Sequence, residues 1–256
     1  MQNRIHQRLQ QPEKIVSIYF TAGYPKRDDT LEVIKELVNS GVDMIEVGLP
    51  YSDPLADGPT IQQSSTQALK NGMSSQLLFE QLKDLRQITS VPVIVMGYFN
   101  AMLQYGVKTF CESCEKCGID GIIMPDLPID IYEAEYQSIF KQHQLSFISL
   151  ITPQTSDQRI KQIDDASDSF IYMVSSASTT GSQAGFGQPE LDYFKRIHDL
   201  KLKNKLIVGF GIKDQASFAQ AAKYTSGCII GSAYIKHITE HGIKQSKPFI
   251  KSLKEQ

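Results

Sequence analysis

Two carboxylates that lie close together in the sequence are the residues best suited to chemistry. Glu46 stands inside the short apolar run Met44–Leu49, and Asp57 follows eleven residues later in a loop rich in Pro and Gly. A carboxylate among apolar neighbours must pair with a cation or raise its pKa, and a raised pKa suits a general acid or base near neutral pH. The other apolar runs hold no Lys or Arg, so we interpret Glu46 as an acid–base catalyst rather than half of a buried ion pair. For Asp57, a turn or a helix N-cap before Thr60 is an equally good interpretation.

Two glycine turns in the last quarter of the chain are candidate phosphate-binding sites. Gly209-Phe210-Gly211 and Gly231-Ser232 each follow an apolar run and precede an amphipathic stretch. Backbone N–H groups at helix N-termini bind anions, and glycine allows the backbone to approach them closely. The alternative is that both are ordinary strand-to-helix turns, but their occurrence in the last two units of the chain favours phosphate binding.

A long polar segment follows the apolar run Phe170–Val174. Ser175–Pro189 spans fifteen residues and is rich in Gly, Ser and Thr. Connections of this length in a compact domain are commonly functional, so we expect a lid. Tyr172 precedes this segment and either offers its hydroxyl to the site or packs in the core.

Eight short apolar runs are available to position these residues. They alternate with stretches of helical periodicity, which is typical of parallel strands buried on both faces and joined by helices. The runs are Ile15–Phe20, Met44–Leu49, Val91–Met96, Gly121–Pro125, Leu145–Ile151, Phe170–Val174, Leu206–Phe210 and Cys228–Ile230.

Eight strand–helix units predict an α/β fold, a single (β/α)8 TIM barrel, with a doubly wound open sheet as the alternative. An extra N-terminal helix is expected at Asn3–Gln11, where it would plug the bottom of the barrel. An extra helix is expected between strands 2 and 3, because Thr60–Lys70 and Ser75–Ile88 both have helical spacing. Residues 1–256 contain no linker or composition shift, so we expect one domain. Catalytic residues should lie at the carboxyl ends of the strands.

Composition excludes several classes of protein. The chain carries 26 basic and 28 acidic residues, which gives no electrostatic reason to bind nucleic acid or an anionic membrane. It has no apolar stretch long enough to span a membrane, and its start lacks the apolar core of a signal peptide, so we expect a cytoplasmic protein. Cys111, Cys114 and Cys117 lack a suitably spaced fourth ligand for an iron–sulfur cluster, and the five His show no convincing metal pattern. We therefore expect no metal site.

The motifs resemble those of the tryptophan synthase alpha subunit, over nearly the whole chain. The matching segments are IEVGLPYSDPLADGPTIQ, which contains Glu46 and Asp57, MPDLP at Met124–Pro128, TTG at Thr179–Gly181, GFGI at 209–212 and IIGSA at 229–233. The resemblance implies a TIM barrel. It also implies the retro-aldol cleavage of indole-3-glycerol phosphate to indole and glyceraldehyde 3-phosphate in L-tryptophan biosynthesis.

The resemblance also assigns roles to residues at matching positions. Glu46 is similar to the acid–base catalyst of the family and Asp57 to its second catalytic carboxylate. The expected substrate-binding residues are Tyr172 near Glu46, Gly181, Gly211, Gly231 and Ser232 at the phosphate, Phe210 and Tyr98 around the indole, and Thr180 in the lid. The chain departs from the family at Ser178, where a glycine is common, so lid geometry and its coupling to a partner are expected to differ.

A partner follows from the same resemblance. The family works as an αββα complex in which indole passes through a tunnel to a beta subunit that carries pyridoxal phosphate, so no cofactor is expected in this chain. The partner face should include Ser52–Pro59, the segment around Asn100 and the loop after strand 6. The alternatives are a stand-alone indole-releasing lyase, a catalytically silent regulatory subunit that binds the phosphate ligand, and another phosphate-sugar barrel such as an epimerase. The intact pair of carboxylates disfavours the second, and the lack of metal ligands disfavours the third.

Overall fold

The computed structural model describes residues 3–54, 57–175 and 185–254 and forms a parallel sheet surrounded by helices. Within these ranges there are nine strands: β1 Ile15–Thr21, β2 Met44–Gly48, β3 Val93–Met96, β4 Gly121–Ile123, β5 Ser146–Phe147, β6 Leu150–Ile151, β7 Phe170–Val174, β8 Lys205–Gly209 and β9 Gly227–Ile230. Each of the eight expected apolar runs overlaps one of these strands or, in one case, two. The run Leu145–Ile151 is interrupted between β5 and β6.

The order of the strands closes the sheet on itself. It runs β5-β4-β3-β2-β1-β9-β8-β7-β6, and all pairs are parallel. The two ends of this order, β5 and β6, are separated in the chain only by Ile148 and Ser149. The backbone N–H of Ile148 donates to Ile122 O on β4 at 3.0 Å, and the backbone N–H of Tyr172 on β7 donates to Ser149 O at 3.0 Å. Ile148 and Ser149 therefore connect the two edges of the sheet. The predicted (β/α)8 barrel is therefore confirmed over an open doubly wound sheet.

Fourteen α-helices lie in the described ranges, together with a π-helix at Tyr132–Tyr136 and a 3₁₀-helix at Ile243–Gln245. The α-helices are α1 Arg4–Leu9, α2 Thr30–Asn39, α3 Pro59–Lys70, α4 Ser75–Leu82, α5 Leu85–Ile88, α6 Phe99–Tyr105, α7 Val107–Cys117, α8 Ile129–Ile131, α9 Gln137–Gln142, α10 Asp157–Ala166, α11 Gln188–Asp199, α12 Gln215–Ala222, α13 Ser232–His241 and α14 Ser246–Lys254. The expected extra helix between the second and third strands is present as α3, and the expected helix Ser75–Ile88 is divided into α4 and α5.

Side chains alternate between two apolar layers along each strand, as the pleat requires. The outer layer lies between the sheet and the helices and includes Ile45 and Val47. The inner layer fills the barrel and includes Met44 on the same strand. Glu46 shares the inward face with Met44, so the fold places its carboxyl group inside the barrel.

The N-terminal helix α1 covers the end of the barrel where the strands begin. Ile5 is fully buried and packs into the inner apolar layer. Arg4 forms a 3.0 Å ion pair with Asp120, which directly precedes β4, and Arg86 pairs with the second oxygen of the same carboxylate at 2.6 Å. That oxygen also accepts the backbone N–H of Val93 at 2.9 Å. Asp120 therefore ties α1, α5 and the start of β3 together.

We predict that Asp120→Ala lowers the free energy of unfolding by about 3 kcal/mol, because it leaves the largely buried Arg86 guanidinium without its carboxylate partner. Urea denaturation of the two proteins measures the difference. The matched control is Asp130→Ala, which removes an exposed partner of Arg159 and should change stability little. Equal effects of the two substitutions would contradict the structural role of Asp120.

Candidate active site

Glu46 lies on β2 and is fully buried. Its Oε1 accepts a hydrogen bond of 3.2 Å from the hydroxyl of Ser17 on β1, and its Oε2 has no hydrogen-bond partner among the described residues. Burial raises the pKa of Glu46 from 4.5 to about 8, against the smaller opposing effect of the Ser17 hydrogen bond. No Lys or Arg in the described ranges pairs with it, which argues against the alternative of a buried ion pair. A carboxyl group with this pKa is a proton donor at neutral pH.

Asp57 is half-buried at the mouth of the barrel. The hydroxyl of Tyr98 donates to its Oδ2 at 3.3 Å, and the Tyr98 ring stacks on Tyr51 with centroids 4.9 Å apart. Desolvation raises the pKa of Asp57, and the Tyr98 hydrogen bond opposes that rise. The N-cap of α3 is Gly58 and receives no side-chain bond, so Asp57 does not cap that helix. Its carboxylate is left directed at the cavity.

One cavity at the carboxyl ends of the strands collects five of the ten expected site residues. It is lined by Tyr19, Asp57, Ile61, Met96, Tyr172, Phe210, Ile229, Gly231 and Ser232. Glu46 does not line this cavity. Burial raises the pKa of Tyr19 and Tyr172, which do line it, and the Glu46 carboxyl adds to both rises. Glu46 is paired in register with Tyr19 on the neighbouring strand. Tyr98, which was expected around the indole, is not among the lining residues, but its hydroxyl donates to Asp57, which is.

Two glycines make room for these tyrosines. A Cβ on Gly48 would overlap the hydroxyl of Tyr19, and a Cβ on Gly209 would overlap the hydroxyl of Tyr172. Tyr172 is 3% exposed, and its ring meets Phe210 edge-on with centroids 6.3 Å apart. Gly48 and Gly209 therefore have a packing function inside the barrel in addition to ending their strands.

The two candidate phosphate turns differ in what they offer an anion. Gly231 is the N-cap of the ten-residue helix α13, whose first turn has no acidic residue, so the helix dipole there favours an anion. The N-terminus of α12 is already satisfied by Asp214, which forms a capping box with Ser217. In the first turn, Phe210 and Gly211 both adopt positive φ, +69° and +74°. This turn is held by the hydroxyl of Ser175, which donates to Phe210 O at 2.9 Å.

Some of the expected residues lie outside the described part of the chain. Thr180, Gly181 and the unusual Ser178 fall within residues 176–184. The expected lid Ser175–Pro189 is therefore described only at Ser175 and from residue 185 onward. Phe186, in the second of these parts, packs edge-on against Phe194 of α11 with centroids 5.0 Å apart.

Sequence reasoning missed Ser17 and Tyr19. Both lie on β1 on the inward face, and Tyr19 is paired in register with Glu46 on the neighbouring strand. The alternation of β1 identifies its inward positions, but the pairing of β1 with β2 is needed to place Ser17 and Tyr19 beside Glu46. This pairing is a long-range property of the barrel.

The three closely spaced cysteines belong to the core. Cys111, Cys114 and Cys117 are free thiols on α7, and burial raises the pKa of each. In the part of the chain that the structure describes, no group of three or more His, Cys, Asp or Glu could hold a metal ion. Within the same ranges, no helix combines the length and apolar character needed to cross a membrane.

A closed parallel barrel with a neutral carboxyl group in its interior, a second carboxylate at its mouth and an open helix N-terminus beside them is typical of barrel enzymes that use acid–base chemistry on an anionic substrate. Comparison with known proteins defines this class further. Residues 5–256 match the family model described as tryptophan synthase alpha chain. The chain is 60% identical over 252 residues to the tryptophan synthase alpha chain of Christiangramia forsetii, covering 98% of each chain. It is 57% identical over 251 residues to that of Flavobacterium psychrophilum, covering 98% of this chain and 99% of the relative.

Solved structures agree with these sequence relatives. The tryptophan synthase alpha chain from Legionella pneumophila subsp. pneumophila superimposes with a TM-score of 0.89 at 30% identity, covering 99% of this chain and 96% of that one. A structure of tryptophan synthase from M. tuberculosis in its aminoacrylate-bound form gives 0.86 at 28% identity, covering 98% of each chain. The chain belongs to the tryptophan synthase alpha chain family. The expected family is confirmed, and with it a carbon–carbon lyase of tryptophan biosynthesis.

The raised pKa of Glu46 makes stability depend on pH in a definite direction. Between pH 4.5 and about 8 the unfolded chain releases a proton that folded Glu46 retains, so ionisation of the unfolded state opposes folding increasingly over this window. Glu46→Gln is neutral at every pH and avoids this cost. We predict that the free energy of unfolding of Glu46→Gln, relative to that of wild type, is roughly 3 kcal/mol higher at pH 8 than at pH 5. Urea denaturation of both proteins at the two pH values measures this change.

The control for this measurement is Glu133→Gln, which changes an exposed carboxylate on the π-helix. Its difference from wild type should stay constant over the same pH range. A pH-independent difference for Glu46→Gln would show that Glu46 titrates normally in the folded chain.

Proposed function

We propose that this chain cleaves indole-3-glycerol phosphate to indole and glyceraldehyde 3-phosphate with Glu46 and Asp57 as its catalytic groups. The observation that carries the proposal is the fully buried, cation-free carboxyl of Glu46, with a pKa raised to about 8 beside the cavity. Cleavage of the bond between the indole ring and its side chain needs a proton donor at ring carbon 3. An ordinary carboxylate is ionised at neutral pH and cannot supply that proton.

Glu46 acts twice in the proposed reaction. As a carboxylic acid it transfers its proton to carbon 3 of the indole ring, which gives an indolenine and leaves Glu46 ionised. The carboxylate then takes the proton of the side-chain hydroxyl next to the ring. The electrons of that O–H bond form the aldehyde, and the electrons of the broken carbon–carbon bond return to the ring. Glu46 ends the cycle protonated, so the step needs no other acid or base.

Asp57 acts on the other end of the ring. The indolenine carries positive charge near the ring nitrogen, and a carboxylate that accepts the N–H stabilises that charge. Its position at the mouth, where Tyr98 donates to Oδ2 at 3.3 Å, supports this role because the ion is oriented without being neutralised. The two carboxyl groups differ in environment, because Glu46 is fully buried and Asp57 only half-buried.

Substrate binding follows from the shape and charge of the cavity. The indole ring fits between the apolar walls made by Phe210, Tyr172 and Ile229. The phosphate is bound at Gly211, Gly231 and Ser232, where the N-terminus of α13 has no acidic residue in its first turn. Gly181 and Thr180 complete the site from the expected lid.

We further propose that the chain works in the cytoplasm, as a member of an αββα complex with the tryptophan synthase beta subunit, to which indole passes directly. Membership of the alpha chain family supports the partnership. Pyridoxal phosphate belongs to the beta subunit in this proposal, since the two carboxyl groups of this chain supply all the proton transfers that cleavage needs. The partner face includes Ser52–Pro59 and Asn100.

We predict that Glu46→Gln lowers kcat roughly 10³-fold while the substrate still binds, because the amide retains the shape of the side chain but cannot donate or accept the proton. Indole release measures turnover. The chain contains no Trp, so indole fluorescence reports ligand binding directly. Glu133→Gln serves as the control with unchanged turnover. A Glu46→Gln variant with a near wild-type rate would refute the catalytic assignment.

The partnership has its own test. We predict weak indole release from the chain alone and strong stimulation when a tryptophan synthase beta subunit is added. High activity that is indifferent to the beta subunit would instead identify a stand-alone lyase. Absence of activity in both mixtures would identify a catalytically silent subunit.

A further inference from the structure

Among the described residues, the hydroxyl of Ser17 is the one hydrogen-bond donor to the Glu46 carboxyl group. Ser17 lies on β1, is fully buried and donates to Glu46 Oε1 at 3.2 Å. In the β1–β2 register Ser17 is paired with Met44, two residues before Glu46. The hydroxyl therefore approaches the carboxyl from the inner apolar layer, on the side away from the mouth.

The two carboxyl oxygens of Glu46 are consequently inequivalent. Oε1 accepts the Ser17 hydroxyl, whereas Oε2 is buried and has no hydrogen-bond partner in the described ranges. A protonated carboxyl has one carbonyl oxygen, which accepts hydrogen bonds, and one hydroxyl oxygen, which carries the proton. A donor fixed on Oε1 makes Oε1 the carbonyl oxygen, so the proton resides on Oε2.

We propose that Ser17 is a positioning residue that orients the Glu46 carboxyl and leaves Oε2 as the atom that delivers the proton to the substrate. This inference rests on the proposed function, since it gives a direction to the acid that the function requires. Ser17 itself contacts neither the cavity nor the reacting atoms. It acts through Glu46 alone.

Other groups around Glu46 do not duplicate this role. From β1 and β7 the titratable neighbours are the phenols of Tyr19 and Tyr172, and burial raises the pKa of both. From β3 the residue paired with Glu46 is the apolar Ile94. Asp57 at the mouth acts electrostatically on the two phenols. Neither phenol titrates near pH 8. The fall of activity on the high-pH side of the pH–rate profile, its alkaline limb, is therefore assigned to ionisation of Glu46.

The test is the pH dependence of kcat/KM for Ser17→Ala, which reports groups of the free enzyme. The Ser17 hydrogen bond lowers the pKa of Glu46, so its removal raises that pKa further. Activity needs the protonated acid and is lost as Glu46 ionises. The alkaline limb should therefore move to higher pH by about one unit, while kcat at pH 7 falls roughly tenfold and KM changes little.

Two variants make the result specific. Ser146→Ala is the matched control, because Ser146 is 1% exposed on β5 and its hydroxyl has no hydrogen-bond partner in the described ranges. It should leave the alkaline limb in place, since it makes the same chemical change without touching Glu46. Ser17→Thr keeps the hydroxyl and should restore the wild-type limb. If Ser17→Ala does not fold, Ser17→Cys replaces it, because a thiol is similar in size and a weak donor.

The outcomes separate this inference from the proposed function. If Glu46→Gln is inactive but the limb of Ser17→Ala coincides with that of wild type and Ser146→Ala, the positioning role of Ser17 is wrong and the function stands. If Glu46→Gln retains the wild-type rate, the function itself is wrong. A lower melting temperature of Ser17→Ala without a shifted limb means that Ser17 is only a packing residue.

Discussion

The site depends on a single electrostatic constraint, the burial of a carboxyl group inside a closed barrel without a neighbouring cation. A group in this environment remains neutral at pH 7 because ionisation would place a charge in an apolar medium. Glu46 meets this condition, since the one hydrogen-bond partner of its carboxyl group in the described ranges is the neutral hydroxyl of Ser17. The closed barrel therefore removes the Glu46 carboxyl group from solvent, and this desolvation raises its pKa enough for it to serve as a proton donor.

The same constraint explains the packing around the carboxyl group. Tyr19, which is paired in register with Glu46, and Tyr172 both line the cavity, and both rings fit because glycines stand at Gly48 and Gly209. At the opposite end, α1 covers the barrel through Ile5 and through the ion pairs of Asp120. Glu46 is thus fully buried, whereas Asp57 is only half-buried at the mouth of the barrel.

Local sequence patterns predicted the fold and most of the cavity, and the reasons are physical. Apolar runs bounded by turns identify buried parallel strands, and the order of the runs identifies the strand ends that hold Asp57, Phe210 and Gly231. The interruption at Ile148 and Ser149 was not predicted, because it arises from joining the two edges of the sheet. The Ser17 hydroxyl and the tyrosine–glycine contacts were missed for the same reason, since they depend on pairing between strands distant in sequence. The contrast between the free N-terminus of α13 and the capped one of α12 required the side-chain contacts of Asp214.

The most direct measurement of this account is the titration of the Glu46 carboxyl carbon in the ligand-free protein, followed by carbon-13 NMR with labelled glutamate. Glu46→Gln identifies the signal, because it removes that resonance alone. The account predicts a midpoint near the value of about 8 that burial imposes on Glu46. A midpoint near 4.5, the ordinary value for a glutamate, would contradict it, because Glu46 would then be ionised at neutral pH and could not serve as the proton donor.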